Sequence, residues 1–129
     1  MSNIIALNVA PCFASLMGAT PVTVVTILEQ LKDDESHMSS GDCGNISYAI
    51  ILEVTRMRLS LASAYFGLES AETQAVLQDM CFNFYMVSKF EKANEWAQVV
   101  TCYEMLLEGS RAQRHCFEYA QEARQHLAR

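Results

Sequence analysis

The chain has 129 residues, 51% of them apolar, and a formal net charge of −6. That length predicts one domain, and that apolar fraction excludes a disordered chain. The acidic balance disfavours nucleic acid, because binding phosphates requires a surplus of Lys and Arg.

Residues 1–28 contain no acidic or basic side chain; the first charge is Glu29. An uncharged apolar leader is normally buried against something, so Ile4, Ile5, Leu7 and Phe13 are candidate partner-binding residues. The leader is expected to form a short helix or an extended arm, interrupted at Pro11. No Lys or Arg precedes Lys32, which argues against a secretory signal. Asn8, Pro11, Ser15, Gly18, Thr20, Pro21, Thr23 and Thr26 break up any membrane span. Five cysteines (Cys12, Cys43, Cys81, Cys102 and Cys116) show no paired spacing. Reduced thiols in a cytoplasm are the simpler expectation.

Thr20 followed by Pro21 predicts an N-cap with proline in the first helical turn. Val24, Val25, Leu28 and Leu31 recur at helical spacing, while the β-branched run from Val22 to Ile27 leaves a strand as the alternative. Residues 33–44, rich in acid, Ser and Gly, read as an acidic loop carrying Asp33, Asp34 and Glu35. Their spacing misses the alternating ligands and central glycine of a calcium loop.

From Asn45, read as a cap, the pattern becomes helical through residue 129. Ile46, Ile50, Val54, Met57, Leu61 and Tyr65 form a stripe. Ile51, Leu52, Leu59 and Ala62 widen it until the helix reads as central and mostly buried. Gly67 ends it. Ser70 caps the next helix, with Leu77, Met80, Cys81, Phe84 and Val87 on one side. A break is expected at Ser88-Lys89, and Ala93, Trp96, Ala97, Val100, Tyr103 and Leu107 continue on a further helix to Gly109. Ser110 with Gln113 reads as a capping box for the last helix. Its inner face is Ala112, Cys116, Tyr119, Ala120, Ala123 and Leu127. The expected fold class is all-α, a bundle of about five antiparallel helices.

Residues 77–100 resemble one tetratricopeptide helical hairpin. Leu77, Cys81 and Phe84 match the Leu, small and aromatic positions of its first helix, and Phe90 and Ala93 the aromatic and alanine of its second. The match covers one repeat of about 34 residues. The later aromatic is replaced by Ala97, with Trp96 beside it, and the closing proline is absent. The resemblance implies a groove for a peptide or partner helix. Small chaperones of bacterial type III secretion systems are similar in size, acidity and helical-hairpin construction.

No catalytic or phosphate-binding motif is present. His115 and Cys116 are adjacent, but neighbours on a helix point about 100° apart, which argues against a base–nucleophile pair. His115, Glu118, Glu122 and His126 share one face of the last helix. Without a recognised ligand spacing they read as a solvated face, so no metal and no cofactor is expected. Phe82, Met86, Phe90 and Trp96 crowd one hairpin turn, and a surplus of that kind suggests a partner-facing patch.

These features together predict a non-enzymatic, cytoplasmic adaptor or secretion chaperone. It would shield an apolar helix or peptide of another protein, or self-associate as a homodimer. The alternative is an immunity protein that neutralises a toxin through Asp33, Asp34 and Glu35.

Overall fold

In the computed structural model, the described residues are 20–40, 44 and 46–129. They form five helices: α1 (Pro21–Ser39), α2 (Tyr48–Phe66), α3 (Ala71–Phe90), α4 (Trp96–Glu108) and α5 (Arg114–Leu127). The all-α bundle expected from periodicity is what forms. Ile4, Ile5, Leu7 and Phe13 lie outside the described residues.

Local chemistry sets several of the boundaries. Thr20 Oγ1 accepts the Thr23 N–H at 3.3 Å and opens α1. Ser47 opens α2 by accepting from Ala49, and Gly67, with φ at +86°, closes it. Ser70 Oγ accepts the Thr73 N–H at 3.1 Å and opens α3. These groups satisfy backbone donors that the first helical turn leaves unpaired.

Each helix packs on the next, and α3 additionally packs on α5. Short connections make consecutive helices antiparallel. The core joins Val24 and Leu28 of α1 to Leu52, Leu59 and Leu61 of α2, and to Leu77, Met80 and Phe84 of α3. Val99, Cys102 and Leu106 of α4 and Cys116, Ala120 and Ala123 of α5 complete it. Small residues on the inner face of α5 let its backbone come close to its neighbours. No helix among the described residues is long and apolar enough to cross a membrane.

The structure corrects several local expectations. Residues 22–27 are helical, as the Thr20 cap and the spacing predict, and the strand alternative does not form. Asp33, Asp34 and Glu35 belong to α1 and not to a loop, since neither Gly nor Pro occurs between Val22 and Ser40 to stop the helix. Gln30 Nε2 donates to Asp34 Oδ1 one turn later at 3.0 Å, and Glu35 turns inward. The cap of α2 is Ser47, two residues after Asn45.

The α3–α4 break falls at residues 91–95 instead of at Ser88-Lys89. Ser88 Oγ accepts the Glu95 N–H at 2.9 Å, and Lys92 and Asn94 both take left-handed backbone with φ of 55°. Phe90 and Ala93 therefore precede α4. Ser110 is not a capping residue of α5. It adopts φ of +57° at the end of α4, where its N–H meets Leu107 O and the Arg111 N–H meets Leu106 O. That pair of bonds is a Schellman closure with serine in the position that glycine usually fills. The α5 N-cap is Gln113, which makes no side-chain capping bond, and Leu127 is exposed instead of inward.

Candidate functional site: the groove between α1 and α3

Both α1 and α3 pack their backbones against α2, yet they do not pack against each other. They face one another across α2 through side chains, and the centre of that groove is polar. Arg58 of α2 is only 3% exposed. Its Nη1 donates to Glu35 Oε2 of α1 at 2.7 Å and to Asp79 Oδ2 of α3 at 2.8 Å. Asn83 Nδ2 donates to Glu35 Oε1 at 2.9 Å and to Thr55 Oγ1 at 3.0 Å, and the Thr55 hydroxyl donates to Ile51 O.

The sequence reason is plain. Position 58 falls on the buried side of α2, so a guanidinium there must bring carboxylates in with it. A buried cation held by two carboxylates fixes the register of three helices more than it adds net stability. One donor is left over: Arg58 Nε is buried and has no acceptor.

Two cavities flank this network. One, of about 170 Å³, is lined by Lys32, Glu35, Ser36, Ser39, Asp79, Phe82 and Asn83. The other, of about 210 Å³, is mainly apolar, with Val25, Leu28, Ala75 and Val76 as walls, and with Glu29, Lys32, Arg58 and Glu72. Lys32 lines both, which makes them two ends of one groove. Its charged residues are four carboxylates (Glu29, Glu35, Glu72 and Asp79) and two cations (Lys32 and Arg58).

Of the residues singled out as a patch, only Phe90 is prominently exposed, at 64%. Trp96 is buried, with its indole stacked on His126 at 4.0 Å and set edge-on to Tyr85 at 5.9 Å. Phe82 is half-buried between Tyr48 and Tyr119, and half-buried Met86 packs on the core. Apart from Phe90, the surplus of aromatics is covered because α5 folds back over α3 and α4, laying Tyr119 on Phe82 and Tyr85 and His126 on Trp96. Asp33 and Asp34 stay exposed, while Glu35 is spent on Arg58 and Asn83.

The row on α5 is also used internally. Glu122 Oε1 accepts from Tyr85 Oη at 2.9 Å and Lys89 Nζ at 3.3 Å, and His126 Nε2 lies 3.8 Å from Glu122 Oε2. The Lys89 ammonium is held above its usual range, chiefly by its bond to the Tyr85 hydroxyl. Glu118 pairs with Arg114, and His115 stands edge-on to Tyr119. Among the described residues no group of three or more His, Cys, Asp or Glu is placed to hold a metal ion.

Cys81, Cys102 and Cys116 are wholly buried free thiols. Cys81 is pushed far above the ordinary thiol range, first by its hydrogen bond with Cys116 and then by burial; Cys102 is pushed up by burial. Neither is activated as a nucleophile.

Arg58, Asp79, Asn83 and Thr55 were not among the site residues drawn from the sequence. One signal for them existed, an arginine inside the apolar stripe of α2, which requires a buried partner. Compared with known proteins, the chain matches no family model, no curated protein and no solved structure.

Proposed function

We propose that the protein is a non-enzymatic adaptor or chaperone that binds a segment of another polypeptide in the groove between α1 and α3. The observation that carries this reading is the groove itself. Two helices pack on a common third without closing on each other, and the gap keeps an apolar wall of Val25, Leu28, Ala75 and Val76. Grooves between helices, with apolar walls and a few fixed polar groups, are a recurrent means of holding a peptide or a helix.

The burial of all three thiols and the salt-linked face of α5 lend no support to a catalytic reading. The likeness of residues 77–100 to a tetratricopeptide hairpin rests on Leu77, Cys81 and Phe84 of α3, since Phe90 and Ala93 precede α4. Three unpaired thiols favour a reducing compartment such as the cytoplasm. Of the expected patch, Trp96 is covered by His126, whereas half-buried Phe82 lines the polar end of the groove.

A small aliphatic diazirine amino acid at Ala75, on the groove rim and without the bulk of an aromatic ring, tests the reading in the native host. A site at Glu104, exposed on α4, serves as control. Labelling of one polypeptide from position 75 and none from position 104 is expected. No labelling at either position, or equal labelling at both, would overturn it.

A further inference from the structure

Resting on the groove reading, we infer that the bound segment is basic and inserts one aliphatic side chain beside Arg58. Two observations set this chemistry. The apolar end of the groove, about 210 Å³, has room for a side chain of Leu, Ile or Met size against Val25, Leu28, Ala75 and Val76. Arg58 lines the same cavity and is fixed there by Glu35 and Asp79, so its side-chain resonance reports on an occupant.

Charge sets the second feature. Four carboxylates against two cations make the groove net negative, and Arg58 is already paired with Glu35 and Asp79. Glu29 and Glu72 stand on the two walls of the apolar end, where they flank any side chain that enters. A segment carrying Lys or Arg around its apolar residue fits this arrangement, and an acidic segment is repelled.

The test uses the full chain labelled with ¹⁵N and two synthetic amphipathic peptides of identical leucine pattern, one with lysine and one with glutamate on its polar face. The lysine peptide is expected to bind and to shift both the Arg58 Nε–H resonance and the amides of Ala75 and Val76. Reversing Glu29 and Glu72 to Lys, both at the groove rim, weakens it by about tenfold. Ala75→Trp, a filling of the rim that leaves the core untouched, abolishes the shifts.

Equal binding of both peptides, binding without movement at Arg58, or no binding by either would overturn the inference. So would a concentration-dependent dimer that Ala75→Trp dissociates, because the occupant would then be a second copy. The crosslinking contrast between positions 75 and 104 stands or falls separately, so loss of this partner chemistry is distinguishable from loss of the groove.

Discussion

Glu91, the residue that closes α3, lends its carboxylate to Tyr48 at the start of α2: Oε2 accepts the Tyr48 N–H at 2.7 Å. The second oxygen accepts from Ser47 Oγ at 2.6 Å, so one side chain serves both the cap and the first turn of a helix more than 40 residues earlier. Partial burial pushes this carboxyl up, but the Ser47 hydroxyl and the N–H groups of Tyr48 and Ala49 together outweigh it, and the group sits below its ordinary value. A depressed carboxyl adds stability above its unfolded pKa and loses it as pH falls through the folded one. Glu91→Gln is expected to cost about 0.5–1 kcal/mol at neutral pH. Urea unfolding followed by circular dichroism should show that difference shrinking below about pH 4, where the unfolded carboxyl also protonates.

Arg58 and its two carboxylates make a different kind of contribution. Arg58→Met leaves Glu35 buried without its cation and should cost about 3–5 kcal/mol. Replacing the group together, as Arg58→Met with Glu35→Leu and Asp79→Asn, removes both the charge and the need to solvate it. The triple variant is expected to unfold within about 1–2 kcal/mol of the original chain. Urea midpoints of the single and triple variants check this directly. A single variant as stable as the triple would mean that the network is not closed to water.

The parts of this fold that were legible in the sequence are those decided by neighbours a turn away. Thr20, Ser70 and Gly67 mark their helix ends because capping and positive φ are local demands. Spacing placed α2 but not its inner face: Ile51, Leu52, Leu59, Leu61 and Ala62 are buried, whereas Ile50 is exposed and Ile46 precedes the helix. Residues 33–35 were not legible as helix: their acidity suggests a loop, but Glu35 is held by Arg58, 23 residues later, and by Asn83 beyond that. The end of α3 was misplaced for a similar reason. Ser88 spends its hydroxyl on Glu95, and the turn is made by two non-glycine residues in left-handed backbone, for which composition gives no warning. As for the site, the arginine in an apolar stripe was visible, but not the helix that would answer it. The aromatic surplus near Phe82 and Trp96 was visible too, while its cover, α5 folding over α3 and α4, is a tertiary fact.

Gly109 illustrates a glycine kept for space. Its φ of −84° suits any residue, but a Cβ there would collide with the carboxamide of Gln74, which is buried and donates from Nε2 to Leu68 O at 3.0 Å. Gly109→Ala therefore displaces that amide and should cost about 1–3 kcal/mol, the range for leaving a buried polar group unpaired. The penalty is expected to fall when Gln74→Ala is already present, and a double-mutant cycle of urea midpoints measures that coupling.

The neighbouring residue should respond in the opposite direction. Ser110 carries the left-handed conformation that closes α4, with φ of +57°, and a Cβ there costs about 1–2 kcal/mol. Glycine removes that strain but gains freedom in the unfolded chain, which offsets part of the benefit. Ser110→Gly is expected to stabilise by about 0.5–1 kcal/mol, read as a higher thermal midpoint. No change, or a loss, would show that the Ser110 side chain has a role at the α4–α5 turn.

The buried thiols give the final prediction. Cys81, Cys102 and Cys116 come from α3, α4 and α5 and have no exposed surface, so a reagent reaches them only when those helices separate. Cys81 and Cys102 are also held protonated, and the thiolate is the reactive form. In a chain with Cys12 and Cys43 changed to Ser, an aromatic disulfide reagent should find no fast thiol under native conditions and all three in urea. The labelling rate should then follow the opening of the α3–α4–α5 core, and it should slow by about the factor by which Ser110→Gly stabilises the fold, roughly two- to fivefold. Rapid labelling of one thiol in the native state would show that α5 leaves α3 without global unfolding.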